Sequence, residues 1–181
     1  MLSFPNSGGG RPWARLDART GMLLVSAPDG GKEAVNLKGK VISVDIANAE
    51  QGWLCVSAAG ADWQPITGGA WGNPPSAEHK PGVEVDIYSK DAAFGDAPIR
   101  SARGNSRGWN TWIGEIAKQA GGIPPGKWPT LKVTDVAVVK VGQGSSVNIG
   151  FTMAPIDKWT DGLAAQQEAD EAAPEEEEAE F

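Results

Sequence analysis

The segment WNTWIGEIAKQAGGIPP, residues 109–125, decides the fold, because it carries a clear helical repeat. Its apolar residues recur three and four positions apart, as in one face of a helix: Trp109, Trp112, Ile113, Ile116, Ala117 and Ala120. The glycine pair at 121–122 and the proline pair at 124–125 end the repeat. The segment therefore predicts one amphipathic helix with its tryptophans in the core.

Runs with strand character lie on both sides of this helix. Residues 13–19 and 22–27 predict a hairpin, and residues 131–141 and 146–153, joined by Gly-Gln-Gly, predict another. Three further runs, at 40–47, 53–59 and 83–89, alternate or are apolar. A plan of short strands with one helix between them predicts a mainly β fold, with the small barrel of the oligonucleotide-binding (OB) type as the leading case.

Composition divides the chain into four parts. Residues 1–11 predict a flexible N-terminal arm, 12–155 the β domain, 156–167 a linker and 168–181 a disordered acidic tail. The whole chain has 16 Lys and Arg against 23 Asp and Glu, a formal charge of -7. The tail alone holds eight acids and no base, so residues 1–167 have 16 bases against 15 acids. The acidity of the protein therefore belongs to its tail.

Few residues suited to catalysis or metal binding are present. The single cysteine, Cys55, lies in an apolar run and predicts a buried side chain in a reducing, intracellular setting. The single histidine, His79, lies in a loop rich in Gly and Pro and predicts an exposed side chain. No apolar stretch is long enough to span a membrane. We therefore expect no enzyme, no metal and no cofactor.

The densest basic stretch lies in the predicted loop at residues 90–108. Its three arginines, Arg100, Arg103 and Arg107, have no acid near them from residue 99 to residue 113. Glycine and serine between them leave the backbone accessible, so guanidinium and main-chain N–H groups could both meet phosphates. An ordinary solvated loop is the alternative.

Aromatic residues suggest where bases could stack. The chain has eight tryptophans, and Trp63 and Trp71 lie in a predicted Gly- and Pro-rich loop at residues 60–82. Each is either packed down as an anchor or displayed for a ligand. Tyr88 lies on the polar side of its strand, with Lys90 two residues later on the same side. Rings of this kind beside arginines would bind a single strand without regard to its sequence.

The tail combines dense charge with an aromatic end. Its last acids directly precede a terminal phenylalanine: Glu175, Glu176, Glu177, Glu178, Glu180 and Phe181. A disordered solubilising extension is one interpretation. A partner with a basic groove and an apolar pocket is the other, because the acids would steer the encounter and the ring would anchor it.

This tail resembles that of single-stranded DNA-binding proteins, most closely those of T7-like phages, which also end in Phe. Bacterial counterparts end in Pro-Phe, whereas Glu180 precedes Phe181 here. The resemblance implies an OB-fold core that coats single-stranded DNA in replication, recombination and repair, in the cytoplasm of a bacterial host. It also implies that the tail restrains DNA binding and recruits replication proteins such as polymerase, helicase and primase. The sequence leaves the oligomeric state open, with a homo-oligomer as one alternative.

Three other classes of function remain open, and the first, an enzyme, lacks a visible catalytic constellation. A Trp-rich β module could bind carbohydrate, in which case binding would not depend on salt. A phage inhibitor protein could use the tail as a mimic of DNA charge, and the isolated tail would then retain activity.

Overall fold

The structure is a computed structural model that describes residues 11–91 and 93–172. Within these residues the chain is mainly β, with two α-helices, α1 Arg107–Ala120 and α2 Gly162–Ala172. The strands are β1 Trp13–Leu16, β2 Leu23–Ser26, β3 Lys32–Val35, β4 Val41–Val44, β5 Glu50–Ser57, β6 Gly60–Pro65, β7 Lys80–Tyr88, β8 Ile99–Gly104, β9 Lys127–Trp128, β10 Thr130–Val141, β11 Gly144–Met153 and β12 Thr160–Asp161. No helix in this part of the chain has the length and apolar character needed to cross a membrane.

Ten strands form one sheet that curls into a half-barrel. Its order is β11-β10-β4-β7-β8-β1-β2-β3, and β5 and β6 branch from β7. Strand β7 is shared, because its first half pairs with β5 and its last two residues pair with β4. Strands β8 and β1 pair in parallel, and β9 and β12 form a separate two-stranded sheet.

The core lies between α1 and one face of the sheet. Trp109, Trp112 and Ile116 of α1 are buried there, together with Val85 and Ile87 of β7. The helix begins at the N-cap Ser106, whose side chain accepts a hydrogen bond from the N–H of Trp109. The predicted helix, the core position of its tryptophans and both predicted hairpins are confirmed.

Two predicted loops contain strands. Strand β6 lies within residues 60–82 and pairs with β5, and β8 lies within residues 90–108 and pairs with β7. The prediction of a basic loop around Arg100 and Arg103 is therefore wrong. The arginines interrupt the apolar pattern of the strand, because arginine counts as polar in a sequence even where its long aliphatic stem is buried.

The chain after β11 is not a linker. Residues 156–167 contain a short 3₁₀ helix, β12 and the first turn and a half of α2, and residues 168–172 continue α2. Ala165 is buried and packs with Tyr88, Ile99 and Trp128. The predictions of a single helix and of a linker are wrong, since α2 packs through the small residues Gly162 and Ala165, which carry no hydrophobic pattern. Most of the predicted N-terminal arm and residues 173–181, including Glu175–Phe181, lie outside the described residues.

Candidate nucleic-acid interface

One face of the sheet, opposite the core, collects basic, acidic and aromatic side chains. On β7 and β8, Val85 and Ala102 point into the core, so Glu84, Asp86 and Arg103 point to the other side. The same alternation on β1 places Trp13 and Arg15 on that side, because Ala14 and Leu16 are in the core. We call this surface the polar face; it comprises Arg11, Trp13, Arg15, Trp63, Glu84, Asp86, Ser101 and Arg103.

A basic and an aromatic side chain are paired at the middle of the polar face. The guanidinium carbon of Arg103 lies 4.9 Å from the centre of the Trp63 ring, within the range of a cation–π contact. On its strand-facing side the indole lies against Gly52, where an added Cβ would come within 2.8 Å of the ring. Glycine at this position therefore allows Trp63 to lie across β5 and reach Arg103.

Carboxylates accompany the arginines of this face. The Nε of Arg103 donates to Oε2 of Glu84, and Arg11 donates to Oδ2 of Asp86. Burial raises the pKa of both carboxyl groups above their usual values, although the neighbouring guanidinium opposes the shift in each case. Glu50 stands opposite Glu84 on β5 and adds repulsion. The face is therefore of mixed charge, with two of its arginines held in ion pairs.

Sequence reasoning missed six residues of this surface: Arg11, Trp13, Arg15, Glu84, Asp86 and Ser101. The signal was present, because alternation in the strand Trp13–Leu16 separates Trp13 and Arg15 from Ala14 and Leu16. The alternation alone does not place these residues on a shared surface, because the strand beside β1 is β8, which lies in the predicted loop at residues 90–108.

Arg100 does not belong to the surface. Its side chain is 1% exposed, and it stands opposite Ile87 on the core side of β8. Its Nε donates to the carbonyl of Phe94 at 2.7 Å, one terminal nitrogen donates to the carbonyl of Ser26 at 2.9 Å, and the other pairs with Asp96. Burial lowers the pKa of Arg100. The prediction that it meets phosphates is wrong, because its donors are used to hold the chain's own carbonyls.

Trp71 lies on the opposite side of β5 from Trp63. Its ring meets that of Trp53 edge-on at 5.2 Å between centres, and Nε1 of Trp53 donates to the carbonyl of Trp71 at 3.0 Å. Trp71 also lines a groove of about 410 Å³ beside α1, with Val83 and Ile113. Of the two interpretations of Trp71, the geometry favours the packed anchor. Trp63 and Trp71 do not share a groove.

Tyr88 and Lys90 lie at the end of β7, next to α2. Tyr88 is 6% exposed and donates to Oε2 of Glu168 at 2.7 Å. Burial and this bond raise its pKa to about 12. The predicted alternation of side chains along β7 is confirmed. Because α2 covers the ring of Tyr88, however, the prediction that Tyr88 stacks on a base is wrong. Lys90 is exposed at the rim of a cavity of about 420 Å³ beside Tyr88.

His79 is buried, contrary to its predicted exposure, with 8% of its surface accessible. Its Nδ1 lies 2.8 Å from Oγ of Ser76, and its Nε2 lies 2.9 Å from Oδ2 of Asp62. The bond from His79 lowers the pKa of Asp62. The Ser76 hydroxyl also accepts the N–H of Glu78 within a turn. These bonds fasten the loop at residues 66–79 to β6. Cys55 is half-buried beside Glu78.

Arg107 is exposed at the first position of α1, next to a further groove. The residues predicted from the sequence are thus distributed over several places: Trp63 and Arg103 are in contact, and Tyr88 and Lys90 line one cavity. Comparison with protein-family models, with curated proteins and with solved structures finds no match.

Proposed function

We propose that this chain is a non-enzymatic single-stranded DNA-binding protein and that the strand lies along the polar face of β7, β8 and β1. The observation that carries the proposal is the Arg103–Trp63 pair at the middle of this face. Trp63 is half-buried and offers a ring on which a base can stack, and the guanidinium of Arg103, held by Glu84, adds positive charge beside that ring. Trp13 and Arg15 lie on the same face two strand positions apart and extend it.

The strand succession supports an OB-like interpretation. Strands β4 and β5 pair with β7, β7 pairs with β8, α1 follows, and the β10–β11 hairpin returns to β4. An OB barrel has five strands, and its second and third strands form the surface that binds oligonucleotides. When β4 and β5, which both pair with β7, are counted together as the first strand, β7 and β8 correspond to the second and third strands. The N-terminal strands β1, β2 and β3 would then widen the binding surface.

The tail supports a role in replication or recombination through its composition. Residues 175–178 and 180 are acidic and precede Phe181, a pattern suited to a partner with a basic groove and an apolar pocket. We propose that the tail recruits replication proteins in a bacterial host and that the β domain binds the DNA. The DNA-mimic function remains the alternative for the tail.

The direct test is quenching of tryptophan fluorescence by oligo-dT. Each phosphate contact with a single strand adds about 0.7 to the salt slope, so a fourfold rise in salt should weaken binding roughly 2.5-fold for each contact. Absence of quenching at low salt, with the full chain and with a chain ending at Ala172, contradicts the proposal. Quenching by an oligosaccharide that salt leaves unchanged would favour the carbohydrate-binding alternative.

A further inference from the structure

The start of α1 is pressed against the β10–β11 hairpin. An added Cβ at Gly108 would collide with the carbonyl oxygen of Val147 on β11. Glycine is therefore required for the first turn of the helix to approach the strand so closely. The contact fixes the N-terminus of a 14-residue helix beside the hairpin.

A groove of about 270 Å³ opens at this contact. Its polar side chains are Arg107 and Thr111 of α1 and Ser146 and Asn148 of β11, and Val139 and Val141 form the apolar wall. Among the described residues, those that line the groove include no carboxylate, and the first turn of α1 has no acid. Arg107 adds a full positive charge to the partial positive charge of the helix N-terminus.

Ser146 provides an independent indication of a ligand. Its side chain is 8% exposed, lines the groove, and makes no hydrogen bond with any described residue. Its oxygen is open to the groove rather than fully enclosed, so its hydrogen bonds are made from the groove. The hydroxyl of Ser146 therefore has a donor and lone pairs to offer to a molecule in the groove.

We infer that this groove binds a phosphate group. Donors converge on it from three sources: the guanidinium of Arg107, the hydroxyl groups of Thr111 and Ser146, and the side-chain amide of Asn148. The helix N-terminus favours the anion, as at other phosphate sites. Val139 and Val141, which are 36% and 48% exposed, offer an apolar surface to the sugar that carries the phosphate. That this phosphate belongs to DNA rests on the proposed function; the site itself does not.

The test is a titration of the full, ¹⁵N-labelled chain with inorganic phosphate at constant ionic strength, followed by NMR. We expect saturating shifts centred on the amides of Gly108 and Ser146. Arg107→Gln and Ser146→Ala should each weaken phosphate binding, Arg107→Gln by roughly tenfold, as for loss of a charge-assisted hydrogen bond. Lys118→Gln removes the same charge from the last turn of the same helix and should leave the affinity within about twofold, because the dipole effect is confined to each end.

Shifts that rise linearly with phosphate, or saturating shifts that Arg107→Gln and Ser146→Ala leave unchanged, would overturn the site. A second titration with oligo-dT, with and without a 5′-phosphate, identifies the source of the phosphate. A preference for the 5′-phosphate that Arg107→Gln abolishes supports a strand-end site, and equal weakening of both oligonucleotides supports an internal phosphate. If inorganic phosphate saturates the site while neither oligonucleotide binds, the site stands and the proposed function fails.

Discussion

Arg100 and Arg107 stand at the two ends of one basic segment, and the molecule uses them in opposite ways. Arg100 is buried on the core side of β8 and holds the carbonyls of Phe94 and Ser26. Arg107 is exposed at the start of α1 beside an open groove. Between them, Arg103 lies on the polar face over Trp63. A run of bases therefore indicates a binding surface only when the backbone directs the side chains outward.

Trp63 and Trp71 differ in the same way, because the backbone directs their side chains to different sides of the sheet. Trp63 and Trp71 come from one Gly- and Pro-rich stretch, yet Trp63 crosses Gly52 toward Arg103 and Trp71 packs on Trp53. Adjacent positions of a strand point to opposite faces, so Trp53 and Gly52 separate the two indoles. One tryptophan is placed to meet a ligand on the polar face, and the other anchors a loop.

The largest expected effect concerns stability at Arg100. Arg100→Met should lower the free energy of unfolding by about 3–5 kcal/mol, because buried carbonyl groups lose their donors. Arg107→Gln should change it by no more than about 0.5 kcal/mol, as for other surface positions. Urea unfolding followed by circular dichroism measures both. Similar losses for the two variants would remove the distinction between a structural and a surface arginine.

The next largest effect separates the two tryptophans. If DNA lies on the polar face, Trp63→Leu should weaken oligo-dT binding by about 1–3 kcal/mol, the contribution of one stacked base. Trp71→Leu should leave the affinity unchanged in a chain whose circular dichroism shows it to be folded. Fluorescence anisotropy of labelled oligo-dT measures both affinities. A greater loss from Trp71→Leu would place the ligand on the helix side of the sheet.

Tyr88 reports on the α2 contact without interference, because it is the chain's single tyrosine. Its phenol should ionise with a midpoint at about 12. The folded chain then retains a proton that the unfolded chain releases near pH 10, so the free energy of unfolding should fall as the pH rises from about 10 to about 12. Ultraviolet absorbance at alkaline pH follows the ionisation, and Glu168→Gln should shift the midpoint downward. An unchanged midpoint in that variant would mean that Glu168 does not contact Tyr88.

The smallest effect is expected at Ser146. Ser146→Ala removes a hydroxyl that opens to the groove and has no partner among the described residues, so it should change the free energy of unfolding by no more than about 0.5 kcal/mol. Thermal unfolding checks this, with Ser43→Ala as the control. Ser43 is also buried, but its hydroxyl bonds to Thr130 and Thr160, so its loss should be destabilising. Equal destabilisation by both would show that Ser146 is paired in the folded chain.

Local patterns predicted α1 and the β10–β11 hairpin well, because each has a strong repeat within one segment. They did not predict β8 and α2, because these elements depend on packing against residues that are distant in the sequence. In β8 the stem of Arg100 takes a core position that a pattern reserves for apolar residues. In α2 the buried positions are Gly162 and Ala165, and Gly162 is needed because a side chain there would collide with Trp128. Of the candidate site, residue type predicted Trp63 and Arg103 separately, and their contact is seen only in the structure.

Crosslinking of oligo-dT substituted with 5-iodouracil tests the central claim most directly, because the photoproduct forms with an aromatic ring in contact with the base. Mass spectrometry then identifies the residue. If single-stranded DNA lies on the polar face, the crosslinked peptides should contain Trp63 or Trp13. Crosslinks confined to Trp53 or Trp71, or their complete absence under conditions in which the oligonucleotide binds, would contradict the account.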